Sequence, residues 1–253
     1  MIKNYRSLLF LLQLLIISFN AFGITDKNTF CELDRFGKNI YGEQTAIIFD
    51  LTDRYSDSQI QNIQEAIIKY ANKLKTADRL ILFGFDKFSG FQTSLHKDNF
   101  CLVGNPNWLT ASRNTKTQKK IEERRIIDFF NINNPEKGTS GSPIIDAIIS
   151  ASRSQFITTQ SSDLNFILVS DLVEYSDFFK LTNNRIQYNS IESLITKVDD
   201  SYKFPMKNAR VTVLYVQREN YREIQSGSSL ELLWTKLFKK FGVVGEINFI
   251  KVN

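Results

Sequence analysis

Three separate stretches of this chain place acidic or hydroxyl side chains beside apolar runs. They read IIFDLTD from Ile47 to Asp53, TSGSPIIDAI from Thr139 to Ile148, and FILVSD from Phe166 to Asp171. Carboxylate and hydroxyl oxygens are the ligands that a hard cation such as Mg²⁺ takes, together with retained waters. The pattern therefore predicts one oxygen-lined site that is assembled from three loops.

The residues within these stretches indicate how the site would be positioned. The first and third stretches are apolar and β-branched, as is typical of buried parallel strands, and they lead to Asp50 and Asp171. The second is a turn of small residues followed by Pro143, which is typical of a helix start. In an open α/β sheet, loops at the carboxyl ends of neighbouring strands meet where the strand order reverses, and ligands bind there. The alternative is that Asp50 and Asp171 only cap the helices after their strands.

Strand and helix patterns alternate along the rest of the chain. Strands are predicted at residues 44–50, Arg79–Asp86, Phe91–Leu95, Asn165–Ser170, Val211–Gln217 and Ile247–Val252. Helices are predicted after a cap at Asp57 or Ser58 and at Lys116–Phe130, Pro143–Phe156, Ile191–Val198 and Leu230–Phe241, with a loop at Lys97–Thr115. The side of the second helix predicted to be buried consists of Ile121, Ile126, Ile127 and Phe130. This order predicts an α/β fold, with a doubly wound, mainly parallel six-stranded sheet, one antiparallel edge strand and helices on both faces.

On these motifs the chain resembles a von Willebrand factor type A domain with a metal-ion-dependent adhesion site, over roughly residues 42 to 253. The family signature is Asp-x-Ser/Thr-x-Ser after the first strand, a Thr in a Gly-rich turn, and an Asp after the fourth strand. Asp50 and Thr52 match its first two positions, Ser142 stands where the turn Thr would be, and Asp171 matches the last Asp. The resemblance implies a Rossmann-like fold in which these four residues hold Mg²⁺, directly or through water. It also implies a protein partner whose Glu or Asp completes the coordination of the ion.

The chain departs from the family signature at the third position of its first motif, which is Arg54. A guanidinium has no acceptor atom and cannot be a metal ligand. The Arg54 side chain could neutralise the acids in place of a metal ion, or it could point outward to water. Asp53 and Ser56 are nearby oxygen donors that could compensate for the missing hydroxyl.

Two other functions fit parts of the pattern. A haloacid-dehalogenase-like phosphohydrolase also has a strand that ends in Asp, a later Ser or Thr and a late acidic pair, which Asp50, Ser170 and Asp199–Asp200 imitate. That chemistry usually takes its general acid from two positions after the nucleophile, and here this position is Thr52. The acidic pair also follows a helical pattern rather than an apolar strand. The other alternative is a purely structural domain in which Arg54 is paired with one of the acids.

The N-terminus predicts export. Lys3 and Arg6 precede an apolar run from Leu8 to Phe19, and Ala21-Phe22-Gly23 places small residues at the two positions that matter for cleavage. We therefore expect residues 1–23 to be a signal peptide, 24–43 a leader segment and 44–253 the folded domain. The run is shorter than the roughly 20 apolar residues that span a bilayer, so no stable membrane span is expected after cleavage. An uncleaved anchor is the alternative. The Asn/Lys/Ile-rich composition suggests a bacterial periplasmic or secreted protein.

The charge balance and the cysteines fit an exported protein. The chain has 32 Lys and Arg against 27 Asp and Glu, a net charge of +5. Loss of Lys3 and Arg6 lowers it to +3, which is too small to indicate a nucleic-acid partner. Cys31 and Cys101 are expected to form one disulfide in an oxidising compartment, with two buried thiols as the alternative. His96 is the only histidine and no Ser-His-Asp set accompanies it, so the sequence offers little evidence for catalysis. The resemblance implies an adhesion-type, protein-binding module without enzymatic activity.

Overall fold

The computed structural model describes residues 43–252 apart from residues 76–77, 90–91, 103–111, 137, 139–140, 155, 158–163, 177–179, 182–195 and 197–208. The strands are β1 (Gln44–Asp50), β2 (Arg79–Ser89), β3 (Gln92–Cys101), β4 (Leu164–Ser170), β5 (Arg210–Val216) and β6 (Ile247–Val252). The helices are α1 (Asp57–Ala71), α2 (Ser112–Asn133), α3 (Ile144–Ser152), α4 (Arg222–Gln225) and α5 (Ser229–Lys240), and a 3₁₀ turn covers Glu219–Tyr221. The predicted signal peptide and most of the predicted helix Ile191–Val198 lie outside the described residues.

The strands form one six-stranded sheet in the order β3-β2-β1-β4-β5-β6. β1 pairs in parallel with β2 on one side and with β4 on the other, and β4–β5 and β5–β6 are also parallel. β2 and β3 are antiparallel, as expected of consecutive strands joined by a short connection. The chain moves from β1 toward β2 but from β4 toward β5, so the strand order reverses between β1 and β4. The predicted α/β fold with a mainly parallel six-stranded sheet and one antiparallel strand is confirmed.

Two apolar cores lie on opposite faces of the sheet, because successive side chains of a strand point to opposite faces. On β1, Ala46 and Ile48 belong to the core that α3 and α5 cover, whereas Ile47 and Phe49 belong to the core that α1 and α2 cover. Every residue of β1 is buried, which is typical of a central parallel strand. Helices therefore pack on both faces, and the polar ends of β1 and β4 are left at one edge of the sheet.

The start of α1 and the end of β3 differ from the predicted boundaries for local reasons. The cap of α1 is Ser56 rather than Asp57 or Ser58. The Ser56 hydroxyl accepts from the backbone N–H of Gln59 at 3.3 Å, and the Gln59 side chain accepts from the backbone N–H of Ser56 at 3.1 Å. β3 continues to Cys101, although the sequence predicts a loop from Lys97, because its residues pair across to β2. Cross-strand pairing of this kind overrides the weak strand preference of polar residues.

Helix α2 is longer than predicted, and one residue of its predicted buried side is exposed. It spans Ser112–Asn133 rather than Lys116–Phe130. The prediction that Ile121 is buried is wrong, since this residue is 52% exposed. Ile126 and Phe130 are buried as predicted, and Glu122 and Phe129 are buried with them at helical spacing.

The predictions about a membrane span and about a disulfide concern particular parts of the chain. Among the described residues, no helix is both long enough and apolar enough to cross a membrane. Cys101 is buried at the end of β3, whereas Cys31 lies outside the described residues. The pairing of the two cysteines therefore stays a prediction.

Candidate functional site

Asp50, the last residue of β1, lies at the centre of a buried hydrogen-bond network at the carboxyl edge of the sheet. Its Oδ1 accepts from the hydroxyl of Thr52 at 2.6 Å and from the backbone N–H of Thr52 at 3.2 Å. Its Oδ2 accepts from the hydroxyl of Ser142 at 3.0 Å and from that of Ser170 at 2.8 Å. The three donor residues belong to the three stretches of the sequence prediction, so residues from all three meet at one carboxylate.

The loop after β4 carries Asp171 on a strained backbone. Leu172, the next residue, has φ of 63°, in the left-handed region that costs a residue with a Cβ roughly 1–2 kcal/mol. Its N–H donates to the hydroxyl of Ser170 at 2.9 Å, and its carbonyl accepts from Nε1 of Trp234 in α5 at 2.9 Å. Oδ1 of Asp171 accepts from the N–H of Val173 at 2.9 Å. Strained backbone held by such contacts is found preferentially at functional sites.

Glu174 is another buried acid in this loop, and the sequence analysis did not predict it. Its Oε2 accepts from the backbone N–H of Ile145 in the first turn of α3 at 3.0 Å, where the helix dipole favours negative charge. Ser176 also hydrogen-bonds to its carboxyl group, while Oε1 has no hydrogen-bond partner in the described part of the chain. The backbones of Ser142 and Tyr175 exchange hydrogen bonds of 3.0 and 2.9 Å. The loop after β4 is therefore fixed against the loop that supplies Ser142.

The positively charged side chain beside these acids is that of Arg218, in the loop after β5, rather than that of Arg54. Its Nε lies 3.6 Å from Oδ2 of Asp171, and the two side chains are 15% and 6% exposed. Its guanidinium also donates to the carbonyl of Arg54, donates to the carbonyl of Asp53 at 3.3 Å, and lies 4.7 Å from the ring centre of Tyr55. Arg54 itself is exposed, in agreement with the alternative that its side chain points outward to water.

The other residues predicted to modulate the site have different places. Asp53 lies close to the loop before α3: a Cβ on Gly138 would be 2.3 Å from Oδ1 of Asp53. Ser56 caps α1, and the hydrogen bonds of its hydroxyl group are with Gln59 and Ser58 rather than with Asp50 or Asp171. A Cβ on Gly141 would be 3.0 Å from the carbonyl oxygen of Tyr175. Glycine at these two positions therefore allows the loops around Asp50 to approach one another closely.

The sequence contains signals for the two charged residues that the sequence analysis missed. Arg218 stands two residues beyond the apolar strand β5, in the stretch VLYVQREN. β5 is the neighbour of β4 in the sheet, so its loop opens at the same edge. Glu174 stands three residues beyond Asp171, in DLVE. In both cases the signal is a charged residue just past an apolar strand.

Burial raises the pKa of both Asp50 and Asp171, because their charged forms lose hydration. For Asp50 the hydroxyls of Thr52 and Ser170 act in the opposite direction. For Asp171 the charge of Asp50 raises the pKa further, and Arg218 offsets only part of this rise. Burial therefore disfavours the ionised forms of both carboxyl groups, and nearby positive charge favours them.

The donor set has the chemistry of a hard-cation site rather than that of a zinc site or a nucleophile. Within the described ranges, no group of three or more His, Cys, Asp and Glu side chains is placed to hold a metal ion. A metal ion here would need the two carboxylates of Asp50 and Asp171 together with the hydroxyls of Thr52 and Ser142. Oxygen donors of this kind suit Mg²⁺, which keeps some of its waters.

Comparison with known proteins gives no family for this chain. No family model matches it, and no curated protein matches it. Among solved structures it is similar to a point mutant of the PilB minor pilin from Streptococcus sanguinis, with a TM-score of 0.44 and 11% identity over 86% of this chain and 58% of that chain. The PilB minor pilin from the same organism gives a TM-score of 0.41 and 15% identity over 84% and 57%.

A further similar structure is the pilus adhesin SpaC from Lactobacillus rhamnosus GG in an open conformation. It gives a TM-score of 0.34 and 11% identity over 81% of this chain and 30% of that chain. The chain thus spans less than two thirds of each of these three structures. Likeness at this level does not indicate a shared function.

Proposed function

We propose that this chain is an exported protein-binding module of the von Willebrand factor type A kind, which contacts its partner through the carboxyl edge of the sheet. The observation that carries the proposal is the convergence of Thr52, Ser142 and Ser170 on Asp50, at 2.6 to 3.0 Å from its two oxygens. This cluster lies where the strand order reverses, which is where open α/β sheets bind their ligands.

The residues at this edge fit a magnesium ion. Asp50, Thr52, Ser142 and Asp171 offer only oxygen donors. A divalent cation would favour the ionised form of Asp171, whose pKa is raised first by burial and then by the charge of Asp50. When bound, Mg²⁺ would offer a coordination position that a carboxylate oxygen of a partner can fill. The expected partner is therefore a protein that presents an acidic side chain.

The same geometry argues for binding without turnover. In a dehalogenase-like phosphohydrolase, the position of Thr52 would carry the general acid. Here the Thr52 hydroxyl donates to Asp50, and a threonine hydroxyl is not acidic enough to protonate a leaving group at neutral pH. His96 lies on β3, where its Nε2 is 3.3 Å from Asp86. The residues Asp199–Asp200 lie outside the described residues.

Calorimetric titration with Mg²⁺ and with Mn²⁺ tests the metal site. We expect measurable binding to the wild type and none to Asp50→Asn or Ser142→Ala, because each change removes an oxygen donor or a charge from the cluster. Asp57→Asn is the matched control, since Asp57 is an exposed acid in the first turn of α1 and its replacement should leave the affinity unchanged. Equal titration of Asp50→Asn and wild type would contradict the assignment of the site.

Retention of envelope proteins tests the binding function. The purified chain is immobilised and incubated with an extract of its own cell envelope, in Mg²⁺ or in EDTA. We expect the wild type to retain a protein that is lost in EDTA and lost with Asp50→Asn. If Asp50→Asn retained the same proteins as the wild type, both in Mg²⁺ and in EDTA, the result would instead support the structural-domain alternative.

A further inference from the structure

Arg218 is held in place by contacts of both its backbone and its side chain. Its backbone N–H donates to Oε1 of Gln225 at 2.7 Å. The amide nitrogen of Gln225 donates in turn to the carbonyls of Asp171 and Val216, both at 3.0 Å. Gln225 is 2% exposed, and buried side-chain amides with every group satisfied fix backbone positions firmly. The start of the Arg218 side chain is therefore fixed relative to Asp171.

The far end of the side chain joins two loops. The guanidinium donates to the carbonyls of Asp53 and Arg54 in the loop after β1, and it stacks on Tyr55 in the same loop. Its Nε faces Oδ2 of Asp171 in the loop after β4, at 3.6 Å. One guanidinium thus contacts both loops that supply the carboxylates of the proposed metal site.

The ion pair with Asp171 is close but incomplete. The distance of 3.6 Å exceeds that of a hydrogen bond, and Nε is buried with no hydrogen-bond partner among the described residues. A buried donor without a partner costs free energy. Arg218 therefore compensates the charge of Asp171 from a short distance, without forming a bidentate salt bridge.

A cavity adjoins Arg218. It has a volume of about 540 Å³, lies on the side of the loop after β5 and is lined by Gln217, Arg218, Glu219, Arg222, Gln225 and Ser226. Arg218 therefore borders open space as well as facing Asp171.

We propose that Arg218 is a built-in competitor of the divalent ion: it supplies positive charge to Asp171 in the metal-free protein, and metal binding requires it to leave. This inference rests on the proposed metal site. Two like charges cannot share one carboxylate in a buried setting without strong repulsion. Departure of the guanidinium also removes its contacts with Asp53 and Arg54, so metal binding loosens the loop after β1 from the loop after β5.

Replacement of the guanidinium tests the competition. Arg218→Gln removes the charge and keeps a side-chain donor, and Arg222→Gln removes a charge from the exposed side of the same cavity. We expect Arg218→Gln to bind Mg²⁺ and Mn²⁺ about 10- to 100-fold more tightly than the wild type, which corresponds to the loss of one charge-assisted contact. Arg222→Gln should match the wild type, and so should Arg54→Gln.

Thermal stability gives a second readout. Without metal, Arg218→Gln should melt at a lower temperature than the wild type, because Asp171 loses its compensating charge. Added Mg²⁺ should raise the melting temperature of the variant by more than it raises that of the wild type. Should Arg218→Gln fail to fold, hydrogen exchange in the wild type replaces it: the amides of residues 53–55 should exchange faster when Mg²⁺ is added.

The outcomes separate this inference from the proposed function. Equal metal affinity of wild type and Arg218→Gln, or unchanged exchange at residues 53–55 in the metal-bound wild type, would overturn the competition and leave the metal site standing. An absence of metal binding in all four proteins would overturn the metal site and the competition together.

Discussion

A buried carboxylate is stable only when hydrogen bonds or charges replace its lost hydration, and Asp50 and Asp171 meet this need differently. Asp50 is surrounded by hydroxyl donors on both oxygens. Asp171 has one backbone N–H on Oδ1, and Arg218 stands near Oδ2. Hydroxyl groups can turn their lone pairs to an incoming cation, whereas a guanidinium can only leave. In the proposed competition, Arg218 is therefore the residue that controls metal binding.

Glu174 leads to a prediction about pH and stability. Burial raises its pKa from an ordinary 4.5 to about 8, and Asp146 and Asp50 add to the rise, against the opposing hydrogen bonds from Ser176 and the N–H of Ile145. Between these values the folded protein holds a proton that the unfolded chain has lost. The free energy of unfolding should therefore fall as the pH rises from about 4.5 to about 8.

Urea unfolding at pH 5 and at pH 8.5 checks this prediction. Glu174→Gln cannot ionise, so the variant should lose less stability between the two pH values than the wild type. Part of the fall should remain, because burial also raises the pKa of Asp50 and Asp171. Glu219→Gln, an exposed acid in the 3₁₀ turn, is the control and should follow the wild type. An identical fall in Glu174→Gln and wild type would rule out Glu174 as the source.

The sequence predicted the position of some site residues better than others. Asp50 ends an apolar run, and the strand pattern alone placed it at the carboxyl edge of the sheet. Ser142 precedes a helix, and it was predicted as a site residue from the family resemblance. Arg218 carries the same kind of signal, but nothing local shows that β5 lies beside β4. The role of Arg54 was open because the direction of a loop side chain depends on contacts with distant residues. Metal binding by these residues stays a prediction.

Close packing between the loop before α3 and the loop after β4 yields a prediction at the level of elements. A Cβ on Gly141 would lie 3.0 Å from the carbonyl of Tyr175, a backbone atom that accepts the N–H of Ser142. Gly141→Ala should therefore push the two loops apart and lower the free energy of unfolding by about 1 kcal/mol, as mild overpacking does. Urea unfolding measures the change, and metal titration should show weaker binding because Ser142 moves.

Gly227→Ala is the matched control for this change. The nearest atom to a Cβ on Gly227 is the backbone nitrogen of Ser229 at 3.9 Å, which is ordinary contact distance. This variant should stay within about 0.5 kcal/mol of the wild type. A Gly141→Ala protein as stable as Gly227→Ala would show that the loops have more freedom than the structure indicates.

Secondary structure was predicted best where sequence pattern and tertiary environment agree. β1 and β6 have the predicted bounds, since both are apolar or alternating runs between clear turn residues. β3 was cut short because the polar residues of HKDNFC resemble a loop and are held in a strand by pairing with β2. In helix α2, Ile126 and Phe130 were predicted correctly, but a charged residue, Glu122, is buried where the apolar Ile121 was expected.

The strand order of the whole molecule cannot decide between binding and catalysis, because the same sheet supports many unrelated functions. The chemistry of the edge leads to the last prediction: the protein should not hydrolyse phosphomonoesters in the presence of Mg²⁺. The Thr52 hydroxyl hydrogen-bonds to Asp50 and is not acidic enough to protonate a leaving group at neutral pH. A screen with generic phosphomonoesters measures this, with Asp50→Asn as the control. Turnover in the wild type that disappears in Asp50→Asn would favour the dehalogenase-like alternative.

The overall architecture was easier to predict than its edge chemistry, for a physical reason. Alternation of apolar strands and amphipathic helices determines the class of fold, because each apolar face must be buried. The contacts of Arg218 with the loop after β1 join residues 164 positions apart in the chain. Contacts of this range depend on the assembled sheet, and no local pattern reports them.

The indole of Trp234 is an intrinsic fluorescent probe of the loop after β4. Its ring is fully buried beside Phe238, and its Nε1 donates to the carbonyl of Leu172, the residue that follows Asp171. Indole emission shifts when this hydrogen bond lengthens or when water reaches the ring. The chain has two tryptophans, so replacement of Trp108 by Phe would leave a single emitter attached to the loop after β4. Fluorescence could then follow any movement of that loop in real time and without a label.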